Sequence, residues 1–540
     1  MSDRKKQIKY YTNLLKDDEI LLLKSCDSFF KNHYSSSPLA LLTGFLGSEG
    51  EAVIDKNGII TIFVDTRYHL LVDKQVFDDV QIYKMNLGET FFDCIKKMFK
   101  KDTVLHVCDD ISLKNYLKYD EWFDLRKYSL EKSYLKNTDF NKKAQIFKVD
   151  SDVEKLDFAK KVQKLQRVFQ KKSKMLIFNL DEISYLTNLR SYQMKYSSLF
   201  RAVLYLDFIG GNHILFSDVL PSDVKIDGLR FLNLDDFESF VKSVEDEIWL
   251  DLDDICLKHY LIIKKPKEIK NKNLSLLASI RPLSAIEDLL KSFEKLDCAI
   301  FNFKNRIKAG LSEYDLSKIF EEEIIKAGAC ALSFKTIMAV GENSASIHYS
   351  QADKNKILKD EDIILLDCGG YFNSGYATDI TRTFYFGNKP KTIYKEIYTN
   401  VLKAFLTCYL SDITNARKLD KMARDMLAKF SEKGFNFAHG LGHGICTSVH
   451  QNPPVLNMKS IDTIKPYQVH SIEPGLYGKT TDGIEFGVRI ENCVYSDLNY
   501  KKISLSKFPF DELLIDYNLL SQKEKDAVQI WQAGFKNECS

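Results

Sequence analysis

The chain has 540 residues, a length that corresponds to about three or four domains. Apolar residues make up 45% and charged residues 28%, which excludes a wholly disordered chain, because such a chain lacks the apolar surface that offsets conformational entropy. The 77 basic and 75 acidic residues nearly cancel, so the net charge gives no attraction to nucleic acid or to an anionic membrane.

The N-terminal segment and the cysteines indicate the compartment. MSDRKKQIKYYTNLL has basic residues but no apolar core, so it does not resemble a secretory signal. No stretch approaches the ~18 apolar residues that a membrane-spanning helix needs. The 11 cysteines are scattered and form no C-x-x-C pair, which predicts that most are free thiols in a reducing compartment. We therefore expect a cytoplasmic protein.

The first part of the chain predicts an α/β domain. Two β-rich runs flank Asp55-Lys56-Asn57-Gly58, which is typical of a hairpin. Residues 103–108 predict a further strand, and a polar, Lys-rich stretch at 131–150 ends this unit. We place the first domain at 1–150.

The next segment repeats a similar order. Apolar residues from Val153 to Phe169 recur mostly at steps of three, which predicts one face of a helix. A strand (MLIFNL), a helix (LDEISYLTNLR) and two strands (AVLYLDFIGG and HILFS) follow. This order predicts a second, related α/β domain at 151–286.

The remaining chain, 287–540, predicts an α+β domain with a C-terminal extension from about 501. A long amphipathic helix is expected at 286–308. The other predicted helices lie at 314–327, 391–410 and 416–433, and the predicted strands at 362–368, 381–386, 469–473 and 486–495.

Two aspartates mark the first candidate site. The apolar strand before Asp367 is followed by a Gly-rich hairpin, and Asp379 lies on the returning strand. Carboxylates brought together in this way raise each other's pKa unless a cation neutralises them. A bound metal is the functional interpretation, and a turn with solvated aspartates is the structural one.

The histidines are distributed unevenly. Five of the ten fall between residues 348 and 470, and HGLGHGICTSVH holds His439, His443 and His450. Its glycines make a helix improbable there, so this is not a helical H-E-x-x-H pair. The histidines can instead face a common cavity, whereas a lone histidine is usually structural.

Two glutamates complete the candidates. Glu473 ends a short strand at a Pro-Gly turn in SIEPGLYG, and Glu491 lies in a strand that otherwise reads as apolar. A buried carboxylate needs a partner. Arg489, two residues earlier on the same strand face, is one interpretation of that partner, and a metal together with Arg489 is the other.

The acceptor set therefore has four carboxylates and one imidazole: Asp367, Asp379, His443, Glu473 and Glu491. Such an oxygen-rich set suits a hard or borderline divalent ion such as Mn²⁺ and suits Cys-favouring zinc sites poorly. The carboxylates carry a charge of about −4, enough for two divalent ions, which can hold a bridging hydroxide and polarise a carbonyl.

These segments, in this order, resemble the metallopeptidases of the pita-bread fold, the family of aminopeptidase P, prolidase and methionine aminopeptidase. The five ligands would lie in LLDCGG, TDITRT, HGLGHG, IEPG and RIEN. SFKTIMAVGENSASIHYS resembles the family's strand that leads to a substrate-site histidine, here His348. His439 and His450 match two further pocket histidines.

The N-terminal half resembles the three-domain subfamily. FLGSEGEAVI, DTRYHLL and LDEISYLTNLR resemble the first two domains of three-domain Xaa-Pro aminopeptidases, and FPFDELLIDYNLL resembles the extension of the cytosolic form. The resemblance implies two creatinase-like α/β domains before a pita-bread catalytic domain. It also implies a homodimer that acts on small peptides and binds neither nucleic acid nor membranes.

The sequence departs from the family pattern at two places. Asp367 and Asp379 are twelve positions apart, one more than in most relatives, and the extra residue falls near Asn373 or Ser374. Gln451 stands where many relatives carry Glu after the VH pair. The first departure need not move either carboxylate, and the second concerns support of His450 rather than metal binding.

The resemblance implies an activity and a role for each residue. The enzyme would remove the N-terminal residue when proline is second, through a metal-bridging hydroxide and two divalent ions, with Mn²⁺ favoured over Zn²⁺ or Co²⁺. Glu473 would be both ligand and carboxyl base, and His348 and His450 would donate to the tetrahedral oxyanion or steady the substrate carbonyl. Three residues would shape the proline pocket or hold ligands: His439, Tyr477 and Arg489.

Two other interpretations remain open. A non-catalytic module of the same fold would bind peptide or protein partners, but such modules lack part of the ligand set, and none of it is lost here. A prolidase would accept only dipeptides. His470, on the strand before Glu473, is interpreted as structural.

Overall fold

A computed structural model of the chain describes residues 2–30, 37–129, 141, 144–169, 173–269 and 273–535. Most of the Lys-rich stretch predicted at 131–150 therefore lies outside the described residues. Contacts divide the chain into two compact units. The first contains 1–146, 158–187 and 200–272, and the second contains 147–157, 188–199 and 273–540. The three domain bounds stay a prediction.

The beginning of the first unit is a six-stranded sheet with helices. Its order is β4-β3-β2-β1-β5-β6. The hairpin predicted around Asp55 to Gly58 is confirmed as the antiparallel pair β2–β3. The elements are α1 (Ser2–Asn13), β1 (Ile20–Lys24), α2 (Pro38–Thr43), β2 (Glu51–Asp55), β3 (Ile60–Val64), α3 (His69–Gln75), β4 (Val80–Lys84), α4 (Phe91–Met98), β5 (Val104–Cys108), α5 (Leu113–Asp120) and β6 (Asp124–Tyr128).

The next part of the chain contributes a second six-stranded sheet, ordered β12-β11-β10-β8-β13-β14, and a separate pair, β7–β9. The elements are β7 (Ile146–Lys148), α6 (Phe158–Val168), β8 (Lys174–Ile177), α7 (Leu180–Thr187), β9 (Leu189–Ser191), β10 (Ala202–Asp207), β11 (His213–Ser217), β12 (Leu229–Asn233), α8 (Phe237–Ser243), β13 (Ile248–Leu250), α9 (Leu257–Leu261) and β14 (Pro266–Glu268).

The two six-stranded sheets have the same pattern of strand directions. In the first, β1, β2 and β3 pair antiparallel, and β4, β5 and β6 are added in parallel. In the second, β8, β10 and β11 pair antiparallel, and β12, β13 and β14 are added in parallel. The prediction that the N-terminal half contains two α/β regions of similar topology is thus confirmed.

The second unit is built from helices and small antiparallel sheets. Its sheets are β15-β18, β16-β17-β19, β20-β24-β25, β21-β22 and β23-β26-β27. The elements are α10 (Asn273–Ser279), α11 (Leu283–Arg306), α12 (Glu313–Lys326), β15 (Ala331–Leu332), β16 (Ile337–Val340), β17 (Asp362–Cys368), β18 (Gly370–Tyr371), β19 (Ile380–Phe386), α13 (Thr392–Leu410), α14 (Ala416–Leu427), β20 (Phe435–Asn436), β21 (Gly442–His443), β22 (Val455–Leu456), β23 (Val469–Ile472), β24 (Gly475–Lys479), β25 (Glu485–Arg489), β26 (Asn492–Ser496), β27 (Lys502–Ser504) and α15 (Gln522–Gly534).

The long helix α11 supports the sheet that carries the candidate site. Its residues Ile286, Phe293 and Ile300 are fully buried in one apolar cluster with Leu366 of β17. These residues recur at steps of seven, which keeps them on one face of the helix. The helix was predicted at 286–308, but it starts earlier because Pro282 precedes its first turn.

Two predicted elements were wrong in extent. The helix expected from Val153 begins only at Phe158, because 147–157 belong to the second unit, where the carbonyl of Val153 accepts a hydrogen bond from Ser284. The helix expected to reach 433 ends at Leu427 and continues as a 3₁₀ segment to Lys433.

The cysteines and the membrane-spanning potential of the helices were also predicted from the sequence. Nine cysteines are free thiols, as predicted for most of them. Among the helices of the described residues, none is both long and apolar enough to cross a membrane.

Candidate active site

The first two carboxylates lie at one end of the sheet β16-β17-β19. Asp367 is the last residue but one of β17, and Asp379 directly precedes β19. The two strands pair antiparallel with Asp367 opposite Thr381. The antiparallel pair predicted from the sequence therefore brings both carboxylates to the same end.

The two glutamates come from the neighbouring sheet β23-β26-β27. Glu473 follows β23 and Glu491 precedes β26, and the last paired residues are Ile472 and Asn492. The predicted strand 486–495 was wrong, since it is divided between β25 and β26. The division has a structural reason: the backbone N–H of Glu491 donates to the carbonyl of Thr381 in β19, at 3.2 Å.

His443 meets these carboxylates from β21. Its Nε2 lies 3.2 Å from Glu473 Oε1 and 3.8 Å from Asp379 Oδ2. Asp379, His443 and Glu491 each offer one ligand atom, and these atoms lie within 4.8 Å of one another. Asp367 and Glu473 join the group electrostatically, since both raise the pKa of Glu491.

The donor set has places that a cation would fill. Three carboxylates of this site each have a buried oxygen without a hydrogen-bond partner among the described residues: Asp367 Oδ1, Asp379 Oδ1 and Glu491 Oε1. A buried anionic oxygen without a partner costs free energy. Oxygens of this kind around one imidazole are the ligands that hard or borderline divalent ions prefer.

The pKa values of these groups also fit a bound cation. Burial raises the pKa of Asp379 well above its usual value, and the charges of Glu491 and Asp367 raise it further. Burial and the charge of Glu473 raise the pKa of Glu491 in the same way. Without a cation, these carboxyl groups are held towards their protonated forms. The residues therefore fit divalent metal ions.

Glu473 differs from the other carboxylates. Burial raises its pKa, but the hydrogen bond and charge of His443 oppose this and bring it down to about 2. Ser471 donates to Glu473 Oε1 at 3.1 Å and accepts from the backbone N–H of His443 at 3.0 Å. This serine, which the sequence analysis missed, joins the two site residues.

Arg489 pairs with Asp367 rather than with Glu491. Its Nη2 donates to Asp367 Oδ2 at 2.6 Å, and its Nε donates to Thr381 Oγ1 at 3.0 Å. The Thr381 hydroxyl in turn donates to Glu491 Oε2 at 2.7 Å. The interpretation of Arg489 as the direct partner of Glu491 is therefore replaced by a chain through Thr381, which lies in the quoted TDITRT motif but was not assigned a role.

His439 and Tyr477 extend this network. Tyr477 accepts from Arg489 Nη1 at 2.8 Å and lies 2.8 Å from His439 Nε2. His439 Nδ1 lies 2.8 Å from the carbonyl of Gly440, so Nδ1 carries the proton and Nε2 accepts from Tyr477. Burial lowers the pKa of His439 to about 4, which keeps this imidazole neutral near pH 7.

The remaining predicted histidines lie on loops. The exposed His450 has its ring 4.2 Å from that of His443, edge to face. His348 follows a 3₁₀ turn, Gly341–Ala345, and is half-buried. Its neighbour Ile347 offers a carbonyl to Arg489 Nη1 at 3.3 Å, which ties the backbone beside His348 to the site.

The departure at Gln451 has a structural counterpart. The buried Gln451 accepts from the backbone and hydroxyl of Thr447 at 3.0 and 2.9 Å, and donates to the carbonyl of Ala278 at 3.1 Å. A carboxylate could not make this last bond. Gln451 therefore fastens the loop that contains His450 in a way specific to an amide.

The longer Asp367–Asp379 loop has its own buried anchor. Tyr376 donates to Glu154 Oε1 at 2.5 Å, and Arg281 and Arg190 lie 3.4 and 3.7 Å from the same oxygen. Sequence reasoning missed this group, because Glu154 stands in the stretch from Val153 that was predicted to be an amphipathic helix.

His470 lies inside the core. It is fully buried on β23, and neither ring nitrogen has a hydrogen-bond partner among the described residues. Burial lowers its pKa to about 3. These observations agree with a structural histidine.

The fold and this site correspond to a known class. Residues 288–496 match the model of metallopeptidase family M24, and residues 138–291 match that of the creatinase/prolidase N-terminal domain. Residues 288–496 are therefore a domain of the M24 metallopeptidase type, and this match indicates a metal-dependent peptidase. The predicted fold class, creatinase-like α/β followed by a pita-bread catalytic domain, is confirmed.

Curated relatives specify the class further. The chain is 27% identical to a probable Xaa-Pro aminopeptidase P of Laccaria bicolor, over 90% of this chain and 82% of that protein. It is 25% identical to a protein of the same name from Coprinopsis cinerea, over 98% of this chain and 95% of that protein.

Solved structures share the fold. An X-prolyl aminopeptidase from Caenorhabditis elegans, described as a cytosolic enzyme with a di-nuclear active site, superimposes with a TM-score of 0.84 at 19% identity, covering 98% of this chain and 95% of that one. A Xaa-Pro dipeptidase from Bacillus anthracis gives a TM-score of 0.56 at 25% identity, covering 66% and 99%.

Proposed function

We propose that this chain is a Xaa-Pro aminopeptidase, which removes the N-terminal residue from peptides with proline in second position. The observation that carries the proposal is the complete set of four carboxylates and one imidazole, with three carboxylate oxygens left for a cation. The relatives named Xaa-Pro aminopeptidase P, which match over most of their length, support the choice of substrate.

The five residues Asp367, Asp379, His443, Glu473 and Glu491 would hold two divalent ions, with Mn²⁺ preferred and Zn²⁺ or Co²⁺ as alternatives. The di-nuclear site of the Caenorhabditis elegans enzyme supports the number. Two such ions would supply the bridging hydroxide expected from the sequence and would polarise the scissile carbonyl.

Glu473 would act as the base. Its Oε1 lies 3.2 Å from His443 Nε2 and accepts from Ser471 at 3.1 Å, which fixes the orientation of the carboxylate. An ionised carboxylate at this position can take the proton of the attacking water on Oε2 and pass it to the nitrogen of the leaving proline. That nitrogen must gain a proton because it leaves as an amine when its bond to the carbonyl carbon breaks.

His348 and His450 would stabilise the transition state by donating hydrogen bonds to the oxyanion that develops on the scissile carbonyl. His450 is exposed beside His443, so a substrate can reach it. His348 lies on the loop that Arg489 contacts at Ile347. Ile347, whose carbonyl accepts from Arg489, directly precedes His348, and the ring of His450 lies beside that of His443.

His439, Tyr477 and Arg489 would support the ligands and one wall of the proline pocket. The chain from His439 through Tyr477 to Arg489 and Asp367 is continuous, with each step between 2.6 and 2.8 Å. A network of this kind fixes the orientation of a ligand carboxylate. Arg489 is 2% exposed, so its role is to hold Asp367 rather than to bind peptide from solution.

The direct test is peptide hydrolysis by the Mn²⁺-loaded protein. A tripeptide Xaa-Pro-Yaa, the dipeptide Xaa-Pro and the matched tripeptide Xaa-Ala-Yaa are compared, and the released N-terminal amino acid is quantified. We expect release from Xaa-Pro-Yaa and little from Xaa-Ala-Yaa, because a pocket shaped for proline's fixed φ favours that residue. Cleavage of the dipeptide alone would identify a prolidase instead, and cleavage of none of these peptides would overturn the proposal.

We also infer that the protein is a cytoplasmic homodimer acting on small peptides, without nucleic-acid or membrane partners. The cytosolic description of the Caenorhabditis elegans enzyme supports the compartment, and the near-neutral charge of +2 agrees with small peptide substrates that, unlike a polyanion, need no electrostatic steering. Light scattering during size-exclusion chromatography tests the dimer. A mass equal to one chain would contradict it.

A further inference from the structure

A buried glutamate outside the candidate site carries an unusual number of hydrogen bonds. Glu313 is the first residue of α12 and is fully buried. Its Oε1 accepts from the backbone N–H of Val340 at 2.7 Å and from Asn343 Nδ2 at 3.1 Å. Its Oε2 accepts from the Tyr349 hydroxyl at 2.7 Å and from the backbone N–H of Asp353 at 3.0 Å.

These four donors belong to one loop. Val340 ends β16, and the loop runs from there to Asp353, with Asn343 and Tyr349 between them. One carboxylate therefore joins both ends of the loop and two points within it. The loop carries His348, which is adjacent to Tyr349.

The opposite side of the loop is held by the site itself. Arg489 Nη1 donates to the carbonyl of Ile347 at 3.3 Å, and the backbone N–H of Gly487 donates to Ser344 Oγ at 2.8 Å. His348 is thus flanked by one residue bound to Arg489 and one bound to Glu313.

Glu313 is not needed to begin its own helix. The capping box of α12 is formed by Ser312 and Asp315, whose side chains bond each other's backbone N–H groups. Leu316 and Phe320 bury the apolar face of the helix. All four partners of Glu313 are donors, so the carboxylate form suits them, although burial raises its pKa. Its contacts serve the loop rather than the helix.

We propose that Glu313 is a positioning residue for His348: its carboxylate fixes the loop 340–353 so that the imidazole lies where it can donate to the reacting carbonyl. This inference rests on the proposed function, in which His348 stabilises the oxyanion.

Glu313→Gln tests the proposal with little change of shape. An amide has one acceptor oxygen and one donor NH₂, so in either orientation it opposes an N–H group to a backbone N–H of the loop. We expect kcat for Xaa-Pro-Yaa to fall about 10- to 100-fold, because a small misplacement of a catalytic group has effects of that order. KM should change by less than about twofold.

Two further variants separate positioning from general damage. Glu323→Gln is the matched control, since Glu323 is also buried on α12 but pairs with Arg306 and Lys326, and it should keep the wild-type kcat. His348→Ala is combined with Glu313→Gln in a double-mutant cycle. If Glu313 acts through His348, adding Glu313→Gln to the His348→Ala variant lowers kcat by less than about twofold.

Hydrogen–deuterium exchange gives a readout independent of turnover. In Glu313→Gln, faster exchange should be confined to peptides covering 340–353, with α12 unchanged. A wild-type protein that releases no amino acid from Xaa-Pro-Yaa would overturn the proposed function. With an active wild type, an unimpaired Glu313→Gln or losses that multiply in the double variant would overturn the positioning role alone.

Discussion

Asp379 and Glu491 are carboxylates whose pKa values are raised by burial and by neighbouring carboxylates, so the ionisation of each depends on a positive charge nearby. Arg489 supplies one such charge, but it is hydrogen-bonded to Asp367. Metal ions would therefore stabilise the site most by binding the three carboxylate oxygens that have no hydrogen-bond partner among the described residues.

Asp379→Asn should lower the rate of Xaa-Pro-Yaa hydrolysis by more than about 100-fold, because it removes one anionic ligand from the set. The metal-free variant should be about as stable as the metal-free wild type, since Asp379 is held towards its neutral form without a cation and asparagine is neutral as well. Activity assays and thermal unfolding in chelator measure both effects.

Asp360→Asn is the control for this substitution, because Asp360 is exposed just before β17. It should retain wild-type turnover and metal content. Turnover by Asp379→Asn at the wild-type rate would sink the assignment of Asp379 as a ligand.

His470→Leu should reduce the loss of stability in acid. The native pKa of His470 is about 3, lowered first by burial, whereas an unfolded histidine titrates near 6.5. The unfolded state therefore binds the extra proton as pH falls from 6.5 to about 3, and the wild type loses stability across that window. At pH 5 the difference from pH 7 should be about 2 kcal/mol smaller in the variant.

Denaturant unfolding of both proteins at pH 7 and pH 5 measures this difference. Leucine suits the position because neither ring nitrogen has a partner among the described residues. An equal loss of stability in wild type and variant would show that His470 is not buried in its neutral form.

At the residue scale, the sequence was sufficient to bring together the carboxylates and His443, since each lies beside a glycine or proline turn or ends a strand. It could not predict that Arg489 pairs with Asp367, because that contact depends on how two sheets meet. Glu154 was missed for the same reason, since its partner Tyr376 lies far away in sequence, and so was Ser471, which accepts from the backbone of His443. Gln451 was noted as a departure, but its bond to the carbonyl of Ala278 was not predictable either.

At the scale of elements, Arg382 joins the C-terminal extension to the site. Its guanidinium donates to the carbonyls of Glu491 at 2.7 Å and Phe508 at 2.7 Å, and to those of Thr381 and Pro509. Trp531 of α15 donates to the same Phe508 carbonyl at 3.2 Å. The extension thus contacts the backbone of a candidate ligand through one buried side chain.

Arg382→Met should lower the free energy of unfolding by several kcal/mol, because four carbonyl groups lose a donor and a buried carbonyl left without any donor costs about 1–3 kcal/mol. The carbonyls of Phe508 and Thr381 keep a second donor. It should also weaken metal binding, since the backbone of Glu491 is released. Denaturant unfolding and calorimetric metal titration measure the two effects. Unchanged metal affinity would show that the extension has no influence on metal binding at the site.

The elements of the second unit were largely predictable from periodicity, and β17 has the predicted bounds. The break between β25 and β26 was not, because both segments contain strand-forming apolar residues and the interruption depends on the contact of Glu491 with Thr381. The late start of α6 was hidden in the same way, since the helical spacing of apolar residues continues back to Val153.

At the scale of the whole molecule, each compact unit is made of segments that are not continuous in sequence. Segments 147–157 and 188–199 belong to the second unit. They supply Glu154 to Tyr376, and Ser198 donates to the carbonyl of Gly375 at 2.6 Å. The loop between the two aspartates therefore depends on chain that precedes the catalytic part.

A fragment limited to 287–540 should accordingly be much less stable than the full chain, since Tyr376 loses its buried acceptor. A fragment starting at 147 retains both segments and is the control. Limited proteolysis and circular dichroism compare the three proteins. Cooperative unfolding of the short fragment at the full-chain temperature would contradict this dependence.

The central claim is that the buried carboxylates and His443 form a metal centre that hydrolyses Xaa-Pro peptides. The most direct measurement is metal content and Xaa-Pro-Yaa turnover on one sample, after dialysis against chelator and after return of Mn²⁺. The account predicts about two ions per chain in the active protein, loss of turnover with the metal, and recovery with Mn²⁺. Full turnover by a metal-free sample would contradict it.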